Sequence, residues 1–107
     1  MKLEDIVDGK LSDSITEVRQ NSFKYEEIVF LTKYMSAWDK ILTERFGPPV
    51  DFKNRKDSVA VHLANAYGGI RNGQILYYSS LKSNDILIMI WPWQDEKHVT
   101  LKKIIPE

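Results

Sequence analysis

Two histidines are the side chains best suited to acid and base chemistry near neutral pH. Acting together, His62 and His98 are typical of a small hydrolase or a nucleotide-handling enzyme, with Arg71 or a nearby lysine stabilising a charged intermediate. No motif links the two residues, and isolated histidines more often belong to the packing or the solvated surface. The sequence therefore predicts no catalytic residues, and His62 and His98 remain the candidates for an enzymatic alternative.

The spacing of possible metal ligands does not predict a metal site. Zinc requires three or four converging ligands, and neither histidine lies in an HxH, HxxxH or HExxH pattern. The absence of cysteine also removes thiolate nucleophiles, disulfides and iron–sulfur clusters. The segment from Gly68 to Gly73 matches neither of the common glycine-rich phosphate motifs and is predicted to form a turn. We therefore expect no metal and no cofactor.

One segment has the composition of a protein-binding surface. The run from Ile86 to Trp93 is apolar on both of its faces, and alternation places a methionine and two tryptophans on the same one. Aromatic residues, methionine and arginine are enriched in protein interfaces. Tyr78 and Arg71 precede this strand in the sequence and are added to the same surface. The predicted binding residues are therefore Trp93, Trp91, Met89, Tyr78 and Arg71.

The same aromatic residues can instead form a second core beneath a helix, because large aromatic side chains are usually buried. Trp93 is the expected exception, since it follows Pro92 at the end of a strand and precedes a polar turn. We therefore expect Trp93 to anchor in a pocket of a partner. Charges of the following turn, such as Asp95, Glu96 and Lys97, are expected to set orientation and association rate.

Charge and hydropathy exclude several classes of partner. The 107-residue chain has 15 basic and 15 acidic residues, so it lacks the positive field that attracts duplex DNA or anionic membranes. Its longest apolar run is far shorter than the roughly 20 residues that cross a bilayer, and its acidic start does not resemble an export signal. We expect a soluble, cytoplasmic protein whose partner is another protein or a second copy of itself.

Hydrophobic periodicity predicts a single α+β domain over residues 1–107. Apolar residues recur at steps of three and four from Ser22 to Phe46, which predicts one long helix that ends at Gly47. Upstream, one broken helix or two short helices are predicted, with a capping box at residues 14–17 that would start a fresh helix. The predicted fold is N-terminal helices, one of them long, packed on an antiparallel β-meander of three or four strands.

The second half of the chain changes to the periodicity of strands. Short polar connectors at residues 82–84 and 94–96 predict hairpins, so that neighbouring strands pair antiparallel. Residues 58–67 fit either a strand or a short helix. Alternating apolar residues favour the strand, whereas the alanines of the segment and the two glycines that follow it favour the helix. The three predicted strands are residues 74–81, 85–93 and 98–105.

These features together predict a non-catalytic protein-binding module, of an inhibitory or immunity type, that uses an aromatic sheet face or strand end. The alternative is a small hydrolase or nucleotide-handling enzyme that uses His62 and His98. The two hypotheses predict that different residues are essential for function. An enzyme loses turnover when a histidine is replaced, whereas a binding module loses its partner when Trp93 is replaced.

Overall fold

A computed structural model describes residues 2–54, 58–81 and 84–106 of the chain, and these residues form an α+β fold. Its centre is a five-stranded sheet of order β1-β2-β5-β4-β3 in which every neighbouring pair is antiparallel. The strands are β1 Ile15–Asn21, β2 Tyr25–Leu31, β3 Ile75–Leu81, β4 Asn84–Pro92 and β5 His98–Ile104. The α-helices are α1 Gly9–Asp13, α2 Met35–Phe46 and α3 Val59–Asn65, with 3-10 turns at Leu3–Asp5 and Thr32–Tyr34.

The α+β class and the antiparallel meander β3-β4-β5 are confirmed. The connector that joins β4 to β5 is the predicted polar turn, whereas residues 82–83 of the other connector lie outside the described residues. The sheet has five strands rather than three or four, because two further strands precede α2. Within the described ranges, no helix is both long and apolar enough to cross a bilayer.

The predicted long helix over residues 22–46 is wrong in its first part. Tyr25–Leu31 form β2, and α2 begins only at Met35. Strand β2 lies between β1 and β5, and its successive apolar residues Ile28, Val29 and Phe30 are all buried. Because apolar residues occupy successive positions of β2, some of them also fall three or four residues apart, which mimics the spacing of a helix. The predicted end of the helix is confirmed, since Gly47 follows α2 with a φ of 82°.

The capping box predicted at residues 14–17 does not begin a helix. Ser14 instead follows α1, and β1 starts at Ile15. The Ser14 hydroxyl donates to the carbonyl of Leu11 over 2.5 Å and accepts the Trp38 indole N–H over 3.0 Å. This hydroxyl therefore ties α1 to α2 across the core, and it is not available to cap residues 15–17.

Of the two structures predicted for residues 58–67, the helix is correct. The Ser58 hydroxyl accepts the N–H of Val61 over 3.2 Å and so caps the start of α3. Gly68 and Gly69, with φ angles of 106° and 74°, follow its end, and the Gly69 N–H donates to the carbonyl of Ala64 over 2.9 Å.

The helices pack on opposite faces of the sheet and form two cores. On the first face, Ile88 and Ile90 of β4 pack in one cluster with Trp38 and Leu42 of α2. On the second face, residues of β3, β4 and β5 pack beneath two alanines of α3. The buried members of that second core are Ala60, Ala64, Leu76, Leu87, Met89 and Ile104.

Candidate functional site

Helix α3 covers only part of the second sheet face. The core beneath it draws on β3, β4 and the end of β5, and Tyr25 at the start of β2 packs against it. Strand β1, the rest of β2 and the start of β5 lie beyond that core. Strand pairing places side chains of β1, β2, β4 and β5 together in this region, where no helix of the described chain packs. We call this region the open face; it carries Glu17, Arg19, Tyr25, Glu27, Trp93, His98, Thr100 and Lys102.

Trp93 of the open face is partly exposed, and three side chains hold it. Its indole N–H donates to the Thr100 hydroxyl over 2.7 Å. The guanidinium carbon of Arg19 lies 5.3 Å from the centre of the indole ring, and the His98 ring lies 4.9 Å from it. Since both cation–π and hydrogen-bond contacts depend on orientation, these neighbours fix the ring in one position.

A chain of polar contacts fixes Arg19 in turn. Its guanidinium donates to Glu17 over 2.7 Å and lies 3.6 Å from a carboxylate oxygen of Glu27. The other oxygen of Glu27 accepts the Tyr25 hydroxyl over 2.8 Å. Three residues of β1 and β2 are therefore ordered around the cation that lies over Trp93.

This chain of contacts predicts late ionisation of one tyrosine. Burial, together with the Glu27 carboxylate, raises the pKa of Tyr25 to about 12 from an ordinary 10.0. The neutral form is favoured in the folded state, so its stabilising contribution is complete below about pH 10 and is lost as the pH rises through about 12. Burial and Asp39 also raise the pKa of Tyr77, so we expect Tyr25→Phe to reduce the late part of the ultraviolet titration of tyrosinate by one tyrosine without abolishing it. Glu27→Gln should move the Tyr25 part of that late phase to lower pH. An unchanged late phase in Tyr25→Phe would contradict this assignment.

Asp95 and His98 form a close pair that shapes the turn between β4 and β5. One carboxylate oxygen of Asp95 lies 2.6 Å from His98 Nδ1, and the other accepts the backbone N–H groups of Lys97 and His98 over 2.9 and 3.1 Å. The Lys97 N–H is the main cause of the lowered pKa of Asp95. The pair therefore stabilises a turn in which Glu96 has a φ of 59°.

The structure does not bring the two histidines together. His62 is exposed on α3, while His98 is engaged with Asp95 and Trp93 at the start of β5, the end away from the α3 core. Across the described ranges, no contact joins His62 to His98. No group of three or more metal-ligating side chains occurs within these ranges either.

The five predicted binding residues occupy different environments. Trp91 and Trp93 share the second face, as predicted, but Met89 on the same face is fully buried beneath α3. Tyr78 is partly buried and donates to Asp85 over 2.7 Å. Arg71 is exposed and borders a separate cavity beside α3. Only Trp93 therefore belongs to the open face, with Trp91 at its border.

Trp91 joins the open face to the core beneath α3. A Cβ atom added at Gly68 would lie 2.9 Å from the Trp91 ring, so the turn after α3 packs closely on the indole. The Lys102 ammonium lies 3.7 Å from the centre of the same ring. The Trp91 indole nitrogen is buried and has no hydrogen-bond partner in the described part of the chain.

Several residues of the open face were not predicted from the sequence. Arg19, Tyr25 and Glu27 lie in segments that were predicted as helices, where they would not share a surface with Trp93. Thr100 and Lys102 lie on β5, within the strand predicted for residues 98–105. The one signal for β1 was its content of β-branched residues, Ile15, Thr16 and Val18.

Comparison with known proteins gives no relative to guide the assignment. No family model matches the chain, and no curated protein or solved structure shows a significant match. The geometry of the open face is therefore the basis for assigning a function. It offers a fixed, partly exposed tryptophan among charged side chains.

Proposed function

We propose that this chain is a non-catalytic protein-binding module and that the open face is its docking surface, with Trp93 as the anchor. The observation that carries the proposal is the position of Trp93 on the part of the sheet without a helix, held by Arg19, His98 and Thr100. An inhibitory or immunity-type role follows as the specific form of the proposal. In that role the open face masks a surface of another protein.

Conformational entropy favours Trp93 as the anchor. A side chain that is free in solution loses rotamer freedom when it enters a partner's pocket, which costs affinity. Trp93 has already lost that freedom, because its ring and its N–H are both engaged. Tryptophan and arginine are also the residues most often found at interface hot spots. Trp93 beside Arg19 therefore has both the residue type and the fixed side-chain conformation that an anchor requires.

The charges around Trp93 are suited to orienting a partner. Glu17 and Arg19 are exposed by 52% and 41% of their side-chain surface, and Asp95 by 40%. Charges at the rim of an interface chiefly affect association rate and register. Since the sequence has no cysteine, we further propose that the module acts in a reducing compartment, the cytoplasm.

The enzymatic alternative gains no support from the geometry. His98 is engaged with Asp95, which also holds two backbone N–H groups of the turn. His62 is exposed on α3, away from this pair. We therefore retain the binding module as the proposed function.

Trp93→Ala is expected to weaken binding of the partner by about 30-fold or more, the effect of losing a hot spot. The partner is first recovered from an extract of the protein's own cells and then measured in purified form by calorimetry. Phe23→Ala is the matched control, because Phe23 is an aromatic residue with 59% exposure that lies outside the open face. Equal affinities for wild type, Trp93→Ala and Phe23→Ala would reject the proposal, and a second copy of the chain as the ligand would identify a homodimer.

A further inference from the structure

We infer that Lys102, stacked on Trp91, is the subsite at which the open face receives a carboxylate from its partner, so that the partner is a protein that presents an aspartate or glutamate beside an apolar residue. This inference depends on the proposed function, since it specifies the chemistry of the protein that docks at Trp93. It concerns a side chain that contributes nothing to holding Trp93 itself.

Among the described residues, Lys102 is a cation without a carboxylate at ion-pair distance. Its ammonium lies over the Trp91 ring, 3.7 Å from the ring centre, and the ion pairs of the described ranges involve other cations. Glu27 is close enough to exert an electrostatic effect on Lys102. Both oxygens of Glu27 are already engaged, one by the Tyr25 hydroxyl and the other by Arg19.

The other basic side chains around Trp93 differ from Lys102 in this respect. Arg19 forms ion pairs with the carboxylates of Glu17 and Glu27, and the His98 ring lies against Asp95. Lys97 is exposed in the turn. Lys102 is only partly exposed, and the loss of water lowers its pKa from the ordinary value. An anion at this position would offset a desolvation that the fold has already imposed.

A protein carboxylate fits the surroundings better than the phosphates of a nucleic acid. Four acidic side chains lie on or beside the open face and would repel a polyanion along most of its length. A single carboxylate can reach Lys102 alone and leave the rest of the face to apolar contact with Trp93. The four acidic residues are Glu17, Glu27, Asp95 and Glu96.

Selection of peptides from a random dodecapeptide display library tests this chemistry even before the natural partner is identified. Wild-type protein is expected to enrich peptides that contain aspartate or glutamate beside an apolar residue. Those peptides should bind Lys102→Met at least about tenfold more weakly, while Lys102→Arg keeps most of the affinity. Lys40→Met is the matched control and should bind them as wild type does, because Lys40 is exposed on α2, which packs on the other face of the sheet.

The outcomes separate this inference from the function on which it rests. Peptides that require Trp93 but show no acidic enrichment, or that bind Lys102→Met unchanged, would overturn the carboxylate subsite and leave the binding module intact. A failure to select any peptide that requires Trp93 would count against both. Tight binding of a single-stranded oligothymidylate, lost in Lys102→Met, would replace the protein carboxylate with a phosphate as ligand. Thermal melting of each variant verifies that the fold is retained.

Discussion

Replacing Trp38 with alanine is expected to lower the free energy of unfolding by about 3–5 kcal/mol, as for other buried large side chains. Trp38 of α2 is fully buried, and its ring stacks on Phe30 of β2 with the ring centres 5.0 Å apart. Its indole N–H also donates to the Ser14 hydroxyl over 3.0 Å. The side chain therefore links α1, α2 and the sheet, and truncation leaves a cavity where all three meet. Urea denaturation of the wild type and the variant measures the difference.

Two further variants identify the source of the expected loss. Trp38→Phe keeps a ring against Phe30 but removes the donor to Ser14, so a smaller cost of about 1–3 kcal/mol is expected. Phe23→Ala removes an aromatic side chain that is 59% exposed, and we expect less than about 1 kcal/mol. A Trp38→Ala cost no larger than that of Phe23→Ala would show that α2 does not seal the first core.

Glu26→Leu is the second substitution for which a large effect is expected, about 3–5 kcal/mol of destabilisation. Lys103 is fully buried, and its ammonium donates to the Phe23 carbonyl and lies 3.2 Å from Glu26. The same carboxylate accepts the N–H of Leu3 over 2.9 Å. Removing Glu26 therefore leaves a buried ammonium without its counter-ion and a backbone donor without its acceptor.

The double variant Glu26→Leu with Lys103→Met separates charge from packing. We expect it to be more stable than Glu26→Leu alone, because no uncompensated charge remains. Lys103→Met alone should cost less than Glu26→Leu, since Glu26 keeps the Leu3 N–H and lies 3.6 Å from the Lys2 ammonium. Additive costs in this double-mutant cycle would show that the two side chains are not coupled.

The buried pair of Glu26 and Lys103 also predicts how the stability of Glu26→Leu changes with pH. Burial lowers the pKa of Lys103 below its ordinary 10.5, and Glu26 opposes that effect. Without Glu26, the folded state releases this proton at lower pH than the unfolded state does. The unfolded state then binds more protons, so the stability of Glu26→Leu relative to wild type should rise as the pH increases toward 10.5.

The second half of the fold was predictable because its signals are local. Strands β3, β4 and β5 follow one another along the chain, and each pairs with its neighbour in sequence. The alternation of β4 correctly separated Ile88 and Ile90 from Leu87 and Met89. Helix α2 was predicted from its periodicity, and its end from the glycine that follows Phe46.

Strands β1 and β2 were not predictable in the same way, because long-range pairing decides their structure. Strand β2 pairs with β5 across more than half of the chain, with Tyr25 opposite Ile104. Its successive apolar residues satisfy a helical period and a buried strand equally. Strand β1 is an exposed edge whose apolar residues are few, and two irregularities in its pairing obscure the alternation.

The composition of the open face follows from these two strands. Trp93 was identified from local features, a preceding proline and a polar turn, and the structure places it on the part of the sheet without a helix. Arg19 reaches Trp93 only because β1, β2 and β5 lie side by side. The same pairing aligns Glu27 with Lys102. A surface made by strands that are distant in sequence leaves no contiguous pattern to recognise.

Hydroxyl-radical footprinting of the protein, free and in complex with the partner recovered from its own cells, tests the docking surface most directly. We expect oxidation of Trp93 to fall strongly in the complex, while oxidation of Phe23, exposed outside the open face, stays unchanged. A complex in which Trp93 is oxidised as readily as in the free protein, and in which another surface is protected, would contradict the assignment of the open face as the docking surface.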